Sequence, residues 1–219
     1  MKRNQFIHYS LPAVLAALVF SFGCSTAYYG AMEKEGIHKR DILVDRVEDA
    51  RDAQTDAQEQ FKDALEQFGT VVKIEDIDLK EAHDTLNAEY EASQKAAENV
   101  SNRIDQVTSV AEDLFVEWEG ELKLYKNKDL RRASAEKLKT TRTRYQQMLA
   151  SMQRAEKSME PILSTFQDNV LFLKHNLNAQ AIGSLRAEFS NLKVEIERLI
   201  QSMNEAIDTS NKFIAELSQ

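Results

Sequence analysis

The sequence predicts an all-α protein, an elongated antiparallel bundle of long helices of the coiled-coil type. Apolar residues recur at alternating intervals of three and four through most of the chain, as a buried helical seam requires. Glycine and proline, which most often break helices, number only six and two among 219 residues. Three breaks in the pattern divide it into four helices. If the last break is not real, the third and fourth helices are continuous and the bundle has three long helices.

The first 23 residues have the pattern of a secretory signal peptide. Lys2 and Arg3 give it a positive start, and the apolar run from Leu11 to Phe22 follows. Such a run is too short to span a bilayer comfortably. We therefore expect residues 1–23 to direct export and to be removed.

Cys24 is the one cysteine of the chain, which excludes an internal disulfide and a site built from several thiolates. Its place after Gly23 resembles the lipobox of bacterial lipoproteins, although Ser21 and Phe22 differ from the usual leucine and small residue. The resemblance implies lipidation of Cys24, and the following Ser25 implies sorting to the outer membrane. The alternatives are a signal peptide cleaved elsewhere and an uncleaved anchor.

After the cysteine, residues 24–36 are the expected tether and residues 37–219 the helical bundle. The first helix is expected to begin at Ile37. Gly69 is expected to end it, because glycine readily takes the left-handed conformation that follows many helices. Thr70 to Ile77 is then expected to form a loop over one end of the bundle.

The second helix is expected to begin after Asp78, which together with Glu81 fits a capping box. Its seam continues to about Tyr125, a length on the order of 70 Å at ~1.5 Å per residue. The residues from Asn127 to Asp129 then predict a turn.

The third helix is expected from about Leu130 to Leu173. Pro161 lies inside it and predicts a kink rather than an end, because the seam continues in phase beyond it. The residues from Asn176 to Asn178 form the third break. The fourth helix carries the clearest seam, which consists of Ile182, Leu185, Phe189, Leu192, Ile196, Leu199, Met203, Ala206, Ser210, Phe213 and Leu217.

The charge balance disfavours nucleic-acid binding, because 28 basic residues face 36 acidic ones, for a net charge of −8. One stretch differs from the rest: between Lys123 and Arg144, nine basic residues accompany only two acidic ones. We assign six of them to a candidate patch for anionic lipid or another partner: Lys126, Lys128, Arg131, Arg132, Lys139 and Arg142.

Three interpretations of this basic stretch are open. Its cations could pair with acidic residues of the first helix, bind lipid headgroups, or bind an anionic partner such as a cell-wall polymer or another protein. If the chain is tethered at Cys24, the first helix leaves the membrane and the second returns, so the turn at Asn127 would face the bilayer. The acidic residues that the first interpretation requires are Asp41, Asp45, Glu48, Asp49, Asp52 and Asp56.

No residue pattern points to catalysis, a metal or a cofactor. No two glycines have the spacing of a phosphate-binding loop with a lysine after the second. The pair Glu35 and His38 is the one Glu-x-x-His motif, whereas a di-iron bundle needs two. We expect His83 to be a core or bundle-end residue, and we assign no catalytic, cofactor-binding or metal-binding residues.

Two runs, MEKEGIHKRD at residues 32–41 and FLKHNLNAQAI at residues 172–182, look like those of domain-of-unknown-function family 2959. This is an uncharacterised lipoprotein family of Gram-negative bacteria. The resemblance covers essentially the whole mature chain. It implies an all-helical envelope protein with no established activity.

These observations together predict a non-enzymatic, lipid-anchored protein on the periplasmic side of the outer membrane. We expect it to act as a helical scaffold or adaptor, through a protein partner or a second copy of itself. The alternative is a binding module that holds a lipid or hydrophobic substrate in a groove between helices.

Overall fold

Four long helices form the part of the chain that the structure, a computed structural model, describes: residues 38–73, 78–176 and 179–217. They are α1 (Lys39–Lys73), α2 (Leu79–Glu121), α3 (Lys128–His175) and α4 (Ala179–Leu217). These residues contain no β-strand. The predicted all-α bundle is confirmed, and α3 and α4 are separate helices, which decides for four rather than three.

Each helix packs mainly against two others. α1 and α3 both contact α2 and α4, so α1 and α3 lie diagonally across the bundle. Lys39 lies beside Glu117 and Gln60 lies beside Glu89, which shows that α1 and α2 run antiparallel. This is the up-down-up-down arrangement that short connections between consecutive helices favour.

Four alanines are among the buried residues of α1, and three methionines are among those of α3. This contrast lets helices approach α1 closely, while flexible methionine side chains fill irregular space in the core. α1 makes its most extensive contact with α2. The residues concerned are Ala50, Ala53, Ala57 and Ala64 on α1, and Met148, Met152 and Met159 on α3, all at most 4% exposed.

Polar residues interrupt the apolar core of α1. The side-chain amide atoms of Gln54 are buried and have no hydrogen-bond partner among the described residues. One turn later, Gln58 donates to the carbonyl of Ile200 at 3.2 Å and to Asn204 Oδ1 at 2.9 Å. Because a buried amide is costly unless it is paired, the Gln58 contacts favour one register of α1 against α4.

Gly69 does not end α1, and this prediction was wrong. The helix continues to Lys73, so residues 70–73 form its last turn rather than part of a loop. A Cβ built on Gly69 would lie 3.0 Å from Cζ of Phe189 on α4. The glycine is needed for this close approach of two helices, and not for a left-handed turn.

The end of α1 is fixed by a side chain of α4. Arg186 donates two hydrogen bonds to the carbonyl oxygen of Val72, at 3.0 Å from Nε and 2.8 Å from Nη2. This contact satisfies a carbonyl that the end of a helix otherwise leaves unpaired. Val71 and Val72 are buried, so their burial explains why two β-branched residues stay helical here.

The N-termini of α2 and α3 are capped by side chains. Asp78 accepts hydrogen bonds from the backbone N–H groups of Lys80 and Glu81, at 2.8 and 3.3 Å. Asn127 accepts hydrogen bonds from the backbone N–H groups of Asp129 and Leu130 in α3, at 2.9 and 3.2 Å. The predicted cap at Asp78 is confirmed. The predicted turn at Asn127 to Asp129 lies earlier in the chain, because α2 ends at Glu121 and α3 already begins at Lys128.

Pro161 lies inside α3, which continues through it to His175. The proline therefore does not end the helix, while the expected kink stays a prediction.

Residues 1–37, 74–77, 177–178 and 218–219 lie outside the described part of the chain. The predictions for the signal peptide, Cys24 and the tether fall on these residues. Among the described helices, none is both long enough and apolar enough to cross a bilayer.

The contact between Gly69 and Phe189 predicts opposite results for two glycine substitutions. Gly183→Ala meets no atom within 4 Å and should raise the free energy of unfolding by about 0.5–1 kcal/mol, as is usual inside helices. Gly69→Ala should give a smaller gain or a loss, because the new methyl group displaces the Phe189 ring. Urea unfolding of both variants tests this, and an equal gain would contradict the close approach.

Candidate functional site

The turn between α2 and α3 is the most exposed basic segment that the structure describes. We call residues 122–132, with the sequence LKLYKNKDLRR, the basic tip. Every residue of the tip except Leu122 is exposed. The tip contains five Lys or Arg residues and one Asp, for a charge of +4 within a chain of net charge −8.

The basic tip also exposes apolar side chains. Leu124 is 78% exposed, Leu130 is 56% exposed and Tyr125 is 40% exposed. Large apolar residues at this exposure are unusual when they lie together, and such groups mark interaction surfaces. The sequence did not reveal these three residues, because the seam of the second helix was expected to continue to about Tyr125 and the third helix to begin at about Leu130. The signal that could have found them is the alternation of Leu and Tyr with Lys next to a turn.

The basic tip projects beyond the ends of the other two helices. The last residue of α4, Leu217, lies in the same surface depression as Lys137 and Arg144 of α3. The nine residues of α3 before Lys137 therefore extend past α4 by about 14 Å at ~1.5 Å per residue. The first residue of α1, Lys39, lies beside Glu117 of α2. Glu117 comes before the tip in the chain, so the tip also extends past the start of α1.

Contacts at the base of the tip hold α2 and α3 together. The indole N–H of Trp118 donates to Ser134 Oγ at 2.9 Å. Arg142 lies 2.7 Å from the Glu119 carboxylate. Its guanidinium carbon is also 5.0 Å from the centre of the Phe115 ring, a cation–π distance. These contacts connect α2 and α3 directly below the tip, so the tip is the turn of a well-packed helical hairpin.

The six residues of the predicted patch divide into two groups. Four belong to the basic tip: Lys126, Lys128, Arg131 and Arg132. Within the tip, Arg132 lies 3.2 Å from Asp129, whereas no ion pair is found for the other three in residues 38–73, 78–176 and 179–217. Lys139 is exposed further along α3, and Arg142 takes part in the contacts at the base of the tip.

The interpretation that the basic stretch pairs with acidic residues of α1 does not fit this geometry. α1 and α3 lie diagonally, and Asp49 of α1 pairs instead with Arg46 and Arg103, each at 3.1 Å. The described ion pairs of α3 with other helices go to Glu119 on α2 and Glu216 on α4. The tip cations are therefore available to bind something else.

The beginning of α1 lies at the same end of the bundle as the basic tip. Lys39 Nζ lies 2.8 Å from Glu117 Oε2, four residues before the end of α2. The described part of the chain therefore begins at the end of the bundle that carries the basic tip. Cys24 and His38, the first described residue, are 14 positions apart in the sequence.

A groove between α3 and α4 is a candidate for the predicted site of a hydrophobic ligand. Its volume is about 470 Å³, but its lining is polar apart from Phe172. Two carboxylates, Asp168 and Glu188, face it, so an apolar ligand would leave charged groups without water. The remaining lining residues are Thr165, Asn169 and Ser184.

The histidines show no arrangement for metal binding or catalysis in the described residues, which hold no group of three or more His, Cys, Asp or Glu placed around one point. His83 is half-buried near the start of α2, with Nδ1 3.1 Å from Asp84 Oδ1. Hydrogen bonds from His83 and Lys80 lower the pKa of Asp84. His175 is exposed at the end of α3, and Asn176 is the C-cap residue of that helix.

A comparison with protein families gives a match over most of the chain. The model of a family described as "Protein of unknown function (DUF2959)" matches residues 28–217. No curated protein matches the chain.

Tyr145, below the tip, predicts a loss of stability at alkaline pH. Its ring packs against Phe115 with the ring centres 5.4 Å apart, and burial raises the pKa of its phenol above the usual 10.0. The unfolded chain then loses this proton first, so the free energy of unfolding should fall as pH rises through about 10. Tyr145→Phe should remove this part of the fall.

Urea unfolding between about pH 8 and pH 11 measures this difference. Tyr125→Phe is the matched control, since Tyr125 is in the exposed tip, and it should keep the wild-type profile. Identical pH profiles for wild type and Tyr145→Phe would show that the buried phenol does not contribute.

Proposed function

The chain belongs to the DUF2959 family of proteins of unknown function, and we propose that it is a lipid-anchored, non-enzymatic scaffold or adaptor of the bacterial envelope. The anchor is Cys24, on the periplasmic side of the outer membrane. The bundle holds a partner, or a second copy, along its long helices. The observation that carries the proposal is the contact of Lys39 with Glu117, by which α1 begins at the end of the bundle that carries the basic tip.

The pattern of the N-terminus supports the lipid anchor. A positive start, an apolar run and a small residue precede a lone cysteine. Acyl chains on that cysteine would contribute ~0.8 kcal/mol for each buried CH₂ group, so two or three chains anchor a protein without a spanning helix.

The shape of the bundle supports a scaffold rather than an enzyme. α3 alone has 48 residues, which at ~1.5 Å per residue is about 72 Å. Long exposed helix faces offer extended surfaces to a partner, and the α3–α4 groove has the polar lining described above. The second predicted function, a groove for hydrophobic ligands, gains no support from that lining.

The proposal predicts that Cys24 carries the membrane attachment. Mass spectrometry of the N-terminal peptide from membrane-purified protein should show a diacylated or triacylated Cys24. Cys24→Ser should move most of the protein from the membrane fraction to the soluble fraction, because only the acyl chains give near-permanent anchoring.

Ser25→Ala is the matched control, since it changes a neighbouring hydroxyl but leaves the thiol, and it should stay in the membrane fraction. An unmodified N-terminal peptide that begins at another residue would contradict the lipid anchor.

A further inference from the structure

We propose that the basic tip binds the surface of an anionic phospholipid bilayer, with Lys and Arg side chains at the headgroups and apolar side chains inserted among them. The inference rests on the proposed function for the place of the anchor. The charge and exposure of the tip, however, are independent of Cys24.

Charge is the first argument. The tip carries +4 in a chain of net charge −8, so the rest of the molecule is strongly acidic. A negatively charged surface attracts the tip and repels the remainder, which orients the bundle with the tip towards that surface. Lys126, Lys128 and Arg131 have no ion pair in the described residues, so lipid phosphates would not compete with internal carboxylates for them.

The apolar residues of the tip are the second argument. Leu124, Tyr125 and Leu130 are exposed among the cations. Cations beside leucine and an aromatic residue are the composition of segments that lie in the headgroup region, where apolar side chains reach the acyl boundary. A free anion would use the cations but would leave the leucines in water.

Shape and position are the third argument. The tip is a convex end that projects past α1 and α4, so a flat surface reaches it without a matching groove. It lies at the end where α1 begins, beside Glu117. A chain anchored through Cys24 would therefore hold the tip near the bilayer, and weak headgroup contacts would gain from the high local concentration.

A second copy of the acidic chain is the main competing occupant of the tip. It would satisfy the charge, but two tips in one symmetric dimer interface would bring like charges together. An interface between one tip and an acidic flank would not use the projecting leucines. The bilayer accounts for both the charge and the apolar exposure.

Vesicle co-flotation of chain that begins at Ser25 tests the proposal without an acyl group. Every buried core residue described lies between Ile42 and Leu217, so this chain retains the whole core. It should float with phosphatidylcholine vesicles that contain about one-third phosphatidylglycerol, and much less with pure phosphatidylcholine. Binding should weaken as salt is raised, since salt screens exposed charges.

The decisive variant is the triple substitution Lys126→Glu, Lys128→Glu and Arg131→Glu, which should weaken vesicle binding at least about 100-fold. Glutamate near a helix N-terminus is favourable, so α3 should still form. The fluorescence of Trp118, the one tryptophan of the chain, reports whether the hairpin is intact. The matched control reverses three exposed cations elsewhere: Lys157→Glu, Lys174→Glu and Arg198→Glu.

A second pair of variants tests the apolar contribution. Leu124→Ser with Leu130→Ser should weaken binding about tenfold or more, because each leucine loses part of its burial in lipid. Leu171→Ser with Val194→Ser, which alters two comparably exposed residues outside the tip, should bind like wild type.

An equal loss of vesicle binding in the tip variant and the control charge-reversal variant would overturn the proposal. Vesicle binding that does not depend on phosphatidylglycerol would also overturn it. Absence of wild-type binding together with a self-association that the tip reversal abolishes would assign the tip to a second copy. Because this chain lacks the acyl anchor, failure of Cys24 lipidation would leave the vesicle result unchanged, and the two failures are distinguishable.

Discussion

The continuous seam of apolar residues, spaced by three and four, is the constraint on which the rest of the structure depends. A seam that runs the full length of each helix can be buried only if the helices lie side by side over most of that length. Short connections make successive helices antiparallel, and the diagonal placement of α1 and α3 follows. This order brings the start of α1, marked by Lys39, to the same end as the turn before α3.

The sequence was sufficient for the fold class and for the cap of α2, because periodicity and capping are local properties. Asp78 caps α2 as predicted, whereas Asn127, which was predicted only as part of a turn, caps α3. The end of α1 was not predictable, because it depends on partners far along the chain. Gly69 lies within the helix, where it lets Phe189 approach closely, and the carbonyl oxygen of Val72 accepts two hydrogen bonds from Arg186. Neither partner can be read from residues near Gly69.

The sequence predicted the positive charge of the candidate site. It did not predict the exposed apolar residues of the site or the contacts that hold it in place. Four of the six patch residues lie in the basic tip, whereas Arg142 pairs with Glu119 and stacks on Phe115. The distinction depends on which helix lies opposite, which the sequence leaves open. The exposure of Leu124 and Leu130 likewise depends on where α2 and α4 end. An acidic bundle with a basic, partly apolar end would orient that end towards a negatively charged surface.

If the basic tip binds the bilayer, this end of the bundle faces the membrane in the anchored protein. Acylation would block the thiol of Cys24, so Leu124→Cys or Leu171→Cys supplies a single site for a fluorophore in membrane-bound protein. Leu171 lies near the other end of α3, about 60 Å from the tip at ~1.5 Å per residue. With a quencher on the lipid headgroups, we expect strong quenching at residue 124 and little at residue 171. Equal quenching, or the reverse order, would contradict it.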